Sequence, residues 1–399
     1  MNPNLFQAAA ERHLPGALAL LRDLVAVNSF TTNASGVDEV ARITAAAFVP
    51  LGFHAETIPC TFPGAGHHLF LSRQGAGDPI VLVTHSDTVF PPEEEAANRF
   101  CWDERPAEGR IYGPGTIDNK GGTALIWLAL MTLRDAEPES YARRSWLVAV
   151  NAAEEVTGND FGLLTSDRCR GRARAVLVYE GGPVDEQGWH LVVSRKGRST
   201  WRLEAGGRAA HAGSKHHEGI NAIDALASTL PRIAALTDAA EDRTVNLGRI
   251  EGGTVVNRVP HEAAAEWECR ATHPASLERA DAFFSSLSGG AHNGATLIAH
   301  RTGHTPPWPG GNGTLALFAR WESAAAAMDL KTVAVPRGGL SDANHLWRLG
   351  PTLDGLGPAG GNAHCSERSE DGSKQPEYLE IATMVPKAVM NALALAGMD

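Results

Sequence analysis

Ile80-Val81-Leu82-Val83-Thr84-His85-Ser86-Asp87 is an unbroken apolar and β-branched run that ends in a histidine and an aspartate. A run that does not alternate with polar residues reads as a strand buried on both faces, as in the middle of a parallel sheet. Residues 146–150 and 175–179 repeat the pattern; Glu154 and Glu155 come after the first by a short turn, and Glu180 comes directly after the second. Parallel strands deliver the residues at their ends to the carboxyl edge of the sheet, where open α/β sheets hold their ligands. Asp118, in a glycine-rich turn, and His364, far downstream, are the other ionisable residues placed to reach that edge. Two imidazoles and several carboxylates converging there suit a pair of divalent metal ions, most simply zinc.

Composition narrows the partners. A chain of 399 residues exceeds the roughly 250–300 at which one hydrophobic core stops growing, so two domains are expected. A net charge of -11 with no dense Lys/Arg run argues against nucleic acid or an anionic membrane, and favours a small molecule. Residues 1–12 lack the continuous apolar stretch of a secretory signal and no later segment resembles a membrane span, which reads as cytoplasmic. The five cysteines are widely spaced, odd in number and form no CxxC pair, so metal binding must rest on His, Asp and Glu.

Along the first 190 or so residues helical and strand signals alternate: apolar spacing predicts helices over 14–27, 37–51 and 121–134. Between about 194 and 303 the grammar changes to strand 199–205, helix 221–236, strands 245–250 and 263–272, helix 277–287 and strand 295–301. That βαββαβ order is a split βαβ, ferredoxin-like unit. Beyond it, a Pro/Gly-rich linker at 305–313 leads to a helix over 315–328, a last core strand at 351–354 and a closing helix over 377–396. The expected fold class is therefore α/β, a mixed, mainly parallel sheet covered by helices. The discontinuous first domain is 1–193 with 304–399, and the inserted ferredoxin-like α+β domain is 194–303.

Taken singly, each residue has an ordinary alternative. His85 with Asp87 is also what a loop histidine beside a solvated acid looks like, although a metal-bound His commonly gives its second nitrogen to such a carboxylate. Asp118 is equally an N-cap, yet its two oxygens suit a bridge between cations and the surrounding glycines allow close approach. Adjacent Glu154 and Glu155 are either a solvated acidic turn or a pair divided between ligation and proton transfer. Glu180, closing an apolar strand, is poorly placed for solvation.

Taken together, the segments resemble the M20 family of metallopeptidases, and most of all its glutamate carboxypeptidase branch. The similarity rests on residues 85–89 (HSDTV), 112–122 (YGPGTIDNKGG), 153–158 (AEEVTG), 179–181 (YEG), 207–213 (GRAAHAG) and the stretch ending at His364. The resemblance implies a zinc-peptidase-like catalytic domain and an inserted lid that also forms a homodimer. It implies that Asp118 bridges two metal ions, His85 and Glu180 completing one site and Glu155 and His364 the other. The ions would be Zn2+, with Co2+ or Mn2+ as alternatives. By the same resemblance Glu154 is the general base and acid, Asp87 orients His85, and His211 reaches across the dimer to the scissile carbonyl. Asn257, Arg270, Gly339 and Ser341 match substrate-contacting positions. The chain departs from the pattern after His364, where residues 365–374 are longer and more polar than usual, and at the carboxylate-binding Arg, which is not plainly present near Arg301.

The activity expected is dinuclear zinc-dependent hydrolysis of the amide bond of a small N-acyl amino acid or dipeptide with a free carboxylate, which Arg270 or Arg337 would meet. The alternatives are an aminoacylase- or desuccinylase-type amidohydrolase with the same centre, or a non-hydrolytic binding protein on this fold.

Overall fold

The strand Ala76–His85 lies between Arg144–Asn151 and Ala175–Val178 and runs parallel to both. This computed structural model describes residues 1–156, 159–291 and 293–398. Val81, Leu82 and Val83 are fully buried, as are residues 175–178, so these strands are covered on both faces as their unbroken apolar character requires. Thr352–Leu353 extends the sheet in parallel beyond Ala175–Val178. On the other side His67–Arg73 pairs antiparallel with Arg144–Asn151, and His54–Pro59 antiparallel with His67–Arg73, making a six-stranded mixed sheet. Register sets the site: His85 is level with Asn151 and Val83 with Val178, so the segments beyond them leave the sheet at one edge.

These strands belong to one of two compact units, which comprises Met1–Val193, Gly310–Pro336 and the chain from Ser341 onward. Its helices Pro3–Val25, Lys120–Ala136 and Met384–Ala396 pack on one another, and their buried faces join the sheet in one core cluster. The first helix starts well before position 14 and passes through Pro15. Asn2 caps it, accepting from the N–H of Asn4, and Pro3 occupies the first turn, where its missing N–H costs nothing. The last helix starts only at Met384; residues 378–380 are instead a strand paired with Arg110–Tyr112, and Glu377 precedes it.

The second unit comprises Ser194–Pro309 with Arg337–Leu340. It is a sheet in the order Thr244–Gly252, Glu262–Ala271, Gly197–Gly206, Thr296–Thr305, Gly289–Gly290, with helices Ala222–Ala234 and Pro274–Ser285. Alternate residues Leu203, Ala205, Ala265, Trp267 and Cys269 point inward to Ala225, Leu226, Ile233, Leu277, Ala280 and Phe284. This is the split βαβ order with a two-residue strand added. The unit runs past position 303 because Thr305 still pairs with Arg198 and Trp308 forms a bridge with Arg195. Residues 337–340 join it because Arg195 donates to the carbonyls of Gly339 and Leu340, and Arg270 to that of Gly338. Among the described residues no helix is long and apolar enough to cross a membrane.

Candidate metal centre

At the carboxyl edge of the six-stranded sheet, Asp118 turns its two oxygens in two directions. Oδ1 lies 2.9 Å from Nε2 of His85, and Oδ2 lies 3.3 Å from Nε2 of His364. Glu180 joins the first side, its Oε1 3.8 Å from His85 Nε2, and Glu155 the second, its Oε2 3.3 Å from His364 Nε2. His85 is wholly buried while His364 is half exposed, so the cluster has a closed side and an open one.

His85 and Glu180 are held from behind. His85 Nδ1 faces Asp87, 3.1 Å from its carbonyl and 3.3 Å from Oδ1, which leaves Nε2 for the cluster. Asp87 is fully buried; besides the imidazole it accepts from Glu154 N at 3.1 Å, Glu155 N at 3.3 Å and the Thr31 hydroxyl at 2.8 Å. One aspartate thus fixes both the first imidazole and the turn carrying the paired glutamates. Asn119 donates to Glu180 Oε1 at 2.9 Å, and the Asp118–Asn119 peptide is cis. Of the acidic segment 153–158, Thr157 and Gly158 lie outside the described residues.

Sequence reasoning missed Glu377. It is fully buried, and its Oε1 accepts from the N–H groups of Ile117 and Asp118 at 2.8 and 3.1 Å, bracing the backbone beneath the bridging aspartate. Burial, reinforced by the charge of Asp118, pushes its carboxyl up to about 8. Nothing in the local pattern singles it out, because a glutamate at the start of an apolar helical pattern is ordinary and the polar segment separates it from His364. That segment is closed at its neck by Glu377 N donating to Cys365 O at 2.7 Å; within it only Ser366 is buried, its hydroxyl paired with Asn98 and Glu94.

The electrostatics describe a cluster in want of cations. Burial raises Glu154 well above the carboxylate range, helped by the charges of Asp342, Glu180 and Glu155, and burial likewise raises Glu155. Hydrogen bonds to Asp118 and Glu155 push His364 up to about 10. On His85 burial acts downward, but Asp118, Asp87 and Glu180 outweigh it and raise the imidazole. Asp118 is lowered, the two histidines overcoming its burial. Donor chemistry fits two divalent ions: imidazole plus carboxylates on each side, with a shared carboxylate between. Glu155 Oε1, buried without a hydrogen-bond partner, is the orphan acceptor such an ion would satisfy. His85, Asp118 and Glu155 offer ligand atoms within 4.8 Å of one another.

Of the other expected residues, His211, Asn257, Arg270 and Gly339 belong to the second unit and Ser341 to the first. His211 is in the second unit; its Nδ1 accepts from the N–H groups of Gly213 and Ser214, which puts its proton on Nε2. Asn257 is beside it, its carbonyl accepting from Ala212 N at 3.0 Å. Arg270 pairs with Glu268 at 3.0 Å and donates to Gly338 O, next to Gly339. Ser341 belongs to the first unit and is buried, its hydroxyl donating to Asp354 at 2.8 Å.

Residues 193–287 match the M20 peptidase dimerisation domain. An acetylornithine deacetylase of Pectobacterium carotovorum is 28% identical over 264 residues, 62% of this chain and 65% of the deacetylase. Carboxypeptidase G2 of a Pseudomonas species is 26% identical over 267 residues, 67% of this chain and 62% of its own length. The chain thus spans a little under two thirds of these relatives. An aminopeptidase PepT structure from Bacillus cereus superposes with a TM-score of 0.74 at 20% identity, covering 96% of this chain and 98% of that one. An M20 family metallo-carboxypeptidase from Sulfolobus solfataricus gives 0.69 at 15% identity, covering 96% and 99%.

Proposed function

We propose that the chain is an M20-type dinuclear metal-dependent hydrolase of the amide bond in a small N-acyl amino acid or dipeptide with a free carboxylate, a reading supported by its similarity to the M20 dimerisation domain, the acetylornithine deacetylase and carboxypeptidase G2. The observation that carries this is the division of Asp118, one oxygen toward His85 and the other toward His364. His85, Asp118 and Glu180 would hold one divalent ion and Asp118, Glu155 and His364 the other, zinc being the simplest choice; when bound, they supply carbonyl polarisation and acidify water.

The rest is done by side chains. Glu154, raised by its buried and acidic surroundings, accepts the proton of the attacking water and later delivers it to the leaving amine nitrogen. Asp87 keeps Nε2 of His85 facing the cluster and holds the Glu154 turn through its backbone. His211, protonated on Nε2, is suited to donate to the developing oxyanion, and we assign it to the partner's reaction in a homodimer built through the lid. Asn257, Arg270, Gly339 and Ser341 form the substrate contacts in this proposal. Arg270 meets a carboxylate only by exchanging its Glu268 partner, and Ser341 contributes through its backbone while its hydroxyl stays on Asp354.

Deacylation of an N-acetyl amino acid is the second reading, favoured by the acetylornithine deacetylase similarity. The test is metal content per chain together with hydrolysis of N-acyl glutamate, aspartate, ornithine and neutral amino acids before and after chelation. About two metals and chelator-sensitive cleavage are expected. Varying the acyl group and the amine separately ranks the two readings. A chain that neither binds metal nor cleaves any amide after zinc is restored overturns both.

A further inference from the structure

The turn that presents Glu154 and Glu155 has its backbone N–H groups parcelled out among side chains. Ala153 donates to Asn151 Oδ1 at 3.0 Å, and Glu154 and Glu155 donate to Asp87. Ala152 donates to Nδ1 of His68 at 3.1 Å. His68 is fully buried in the strand His67–Arg73, its ring 5.4 Å from that of Phe161. Its Nε2 lies 3.2 Å from Oδ2 of Asp160, which also accepts from Thr61 N at 2.7 Å. Asp160 sits in the first turn of the helix Asn159–Arg168, just beyond the acidic turn. One imidazole therefore grips the chain on both sides of the glutamates, at Ala152 and at Asp160.

The tautomer is set by the backbone. A nitrogen that accepts from a peptide N–H carries no proton, so the proton of neutral His68 is on Nε2, directed at Asp160. Cys60 Sγ shares the cluster, within 4.8 Å of the His68 and Asp160 ligand atoms, and accepts from Phe62 N. A cation ligated there through Nε2 would move the imidazole proton to Nδ1, against the Ala152 N–H. The cluster is therefore a hydrogen-bonding assembly and not a third metal site.

We propose that His68 is a positioning residue for Glu154, setting the turn through Ala152 while Asp160 holds its tautomer; this rests on the assignment of Glu154 as the base. Two polar replacements separate the halves of the grip. His68→Asn keeps an acceptor where Nδ1 stands and loses the group facing Asp160; His68→Gln keeps an amide toward Asp160 and leaves no acceptor where Nδ1 stands.

In zinc-reconstituted protein with N-acetyl-L-ornithine and N-benzoyl-L-glutamate as probes, the Gln variant loses on the order of ten- to a hundredfold in kcat with little change in KM, the size expected of a small displacement of a reacting group. The Asn variant stays within about threefold of the parent, because its acceptor for Ala152 survives. Hydrogen exchange over residues 152–156 gives a reading independent of turnover: faster in the Gln variant, unchanged in the Asn variant. A merely structural role lowers the melting temperature of both without splitting kcat or exchange. Equal behaviour of the two variants, or the reverse order, overturns the proposal. Glu154→Gln is run alongside; if it retains turnover the assignment of the base fails, while the exchange result still decides whether His68 holds the turn.

Discussion

Replacing Asp87 by asparagine changes one atom and breaks a four-way arrangement. The carboxylate accepts from Glu154 N on Oδ1, from Glu155 N and the Thr31 hydroxyl on Oδ2, and stands 3.3 Å from His85 Nδ1. An amide has only one acceptor oxygen, so whichever way the new side chain turns, its NH2 meets a backbone N–H of the acidic turn. One buried donor left unmet costs about 1–3 kcal/mol. At roughly 2–4 °C per kcal/mol in a domain of this order of size, the melting temperature should fall by about 2–12 °C. Asp87→Ala strands Glu154 N, Glu155 N and the Thr31 hydroxyl together, while His85 Nδ1 keeps the Asp87 carbonyl, and should cost about two to three times as much. The loosened His85 and Glu155 should also weaken metal binding by about 10–100-fold, the usual penalty for losing a carboxylate behind a ligating histidine. Calorimetric melting of the metal-free proteins and zinc competition against a chelator measure the two effects separately. Asp87→Asn with parental melting and parental zinc affinity would show that Asp87 does not hold the site together, and an Asp87→Ala no worse than Asp87→Asn would show that the bonds to the turn carry no weight.

On the proposed roles, Glu154→Gln should keep its bound metal and lose at least about a hundredfold in turnover, since it removes the proposed proton carrier and none of the proposed ligands; metal analysis beside initial rates checks it. Trp267→Ala should cost about 3–5 kcal/mol, because the indole is buried with its ring 5.2 Å from that of Phe284, and chemical denaturation should show the loss in the second unit. Burial lowers the His68 imidazole against the opposing pull of Asp160 and Asp87, with His67 acting downward and Cys60 also adjacent. A depressed folded value means that the unfolded chain binds the proton first. His68 therefore contributes stability that is present above its ordinary value near 6.5 and lost as pH falls below it. The His68→Asn variant should show a flatter fall in denaturation midpoint between about pH 6.5 and 5.

The central strands were legible because burial on both faces demands uninterrupted apolar residues, and strand direction then predicts which acids meet. That argument reaches His85, Asp118, the Glu154–Glu155 pair, Glu180 and His364, and the resemblance divides their roles; the structure brings His85, Asp118, Glu155, Glu180 and His364 together. The ferredoxin-like unit was legible through alternation and order, but its boundary was not, because the tail of Thr296–Thr305 is polar and continues by pairing rather than by pattern. The start of the first helix was not legible from apolar spacing over 14–27, because Asn2 and Pro3 set it and not the apolar run. Glu377 and His68 were invisible for a common reason. Each serves backbone N–H groups distant in sequence, and such partnerships leave no periodic trace.

The loop between Cys365 and Glu377 has a further use. Its two feet are pinned by the Glu377 N to Cys365 O bond, and Glu377 in turn braces Ile117 and Asp118, so the feet are set independently of what lies between them. Beyond Ser366 the span is mostly solvated, and doubling the length of a flexible loop costs only about 0.6 kcal/mol. Residues 367–374 are thus a natural port for an inserted peptide or dye, an attachment point a few residues from His364 that leaves the bracing beneath Asp118 untouched.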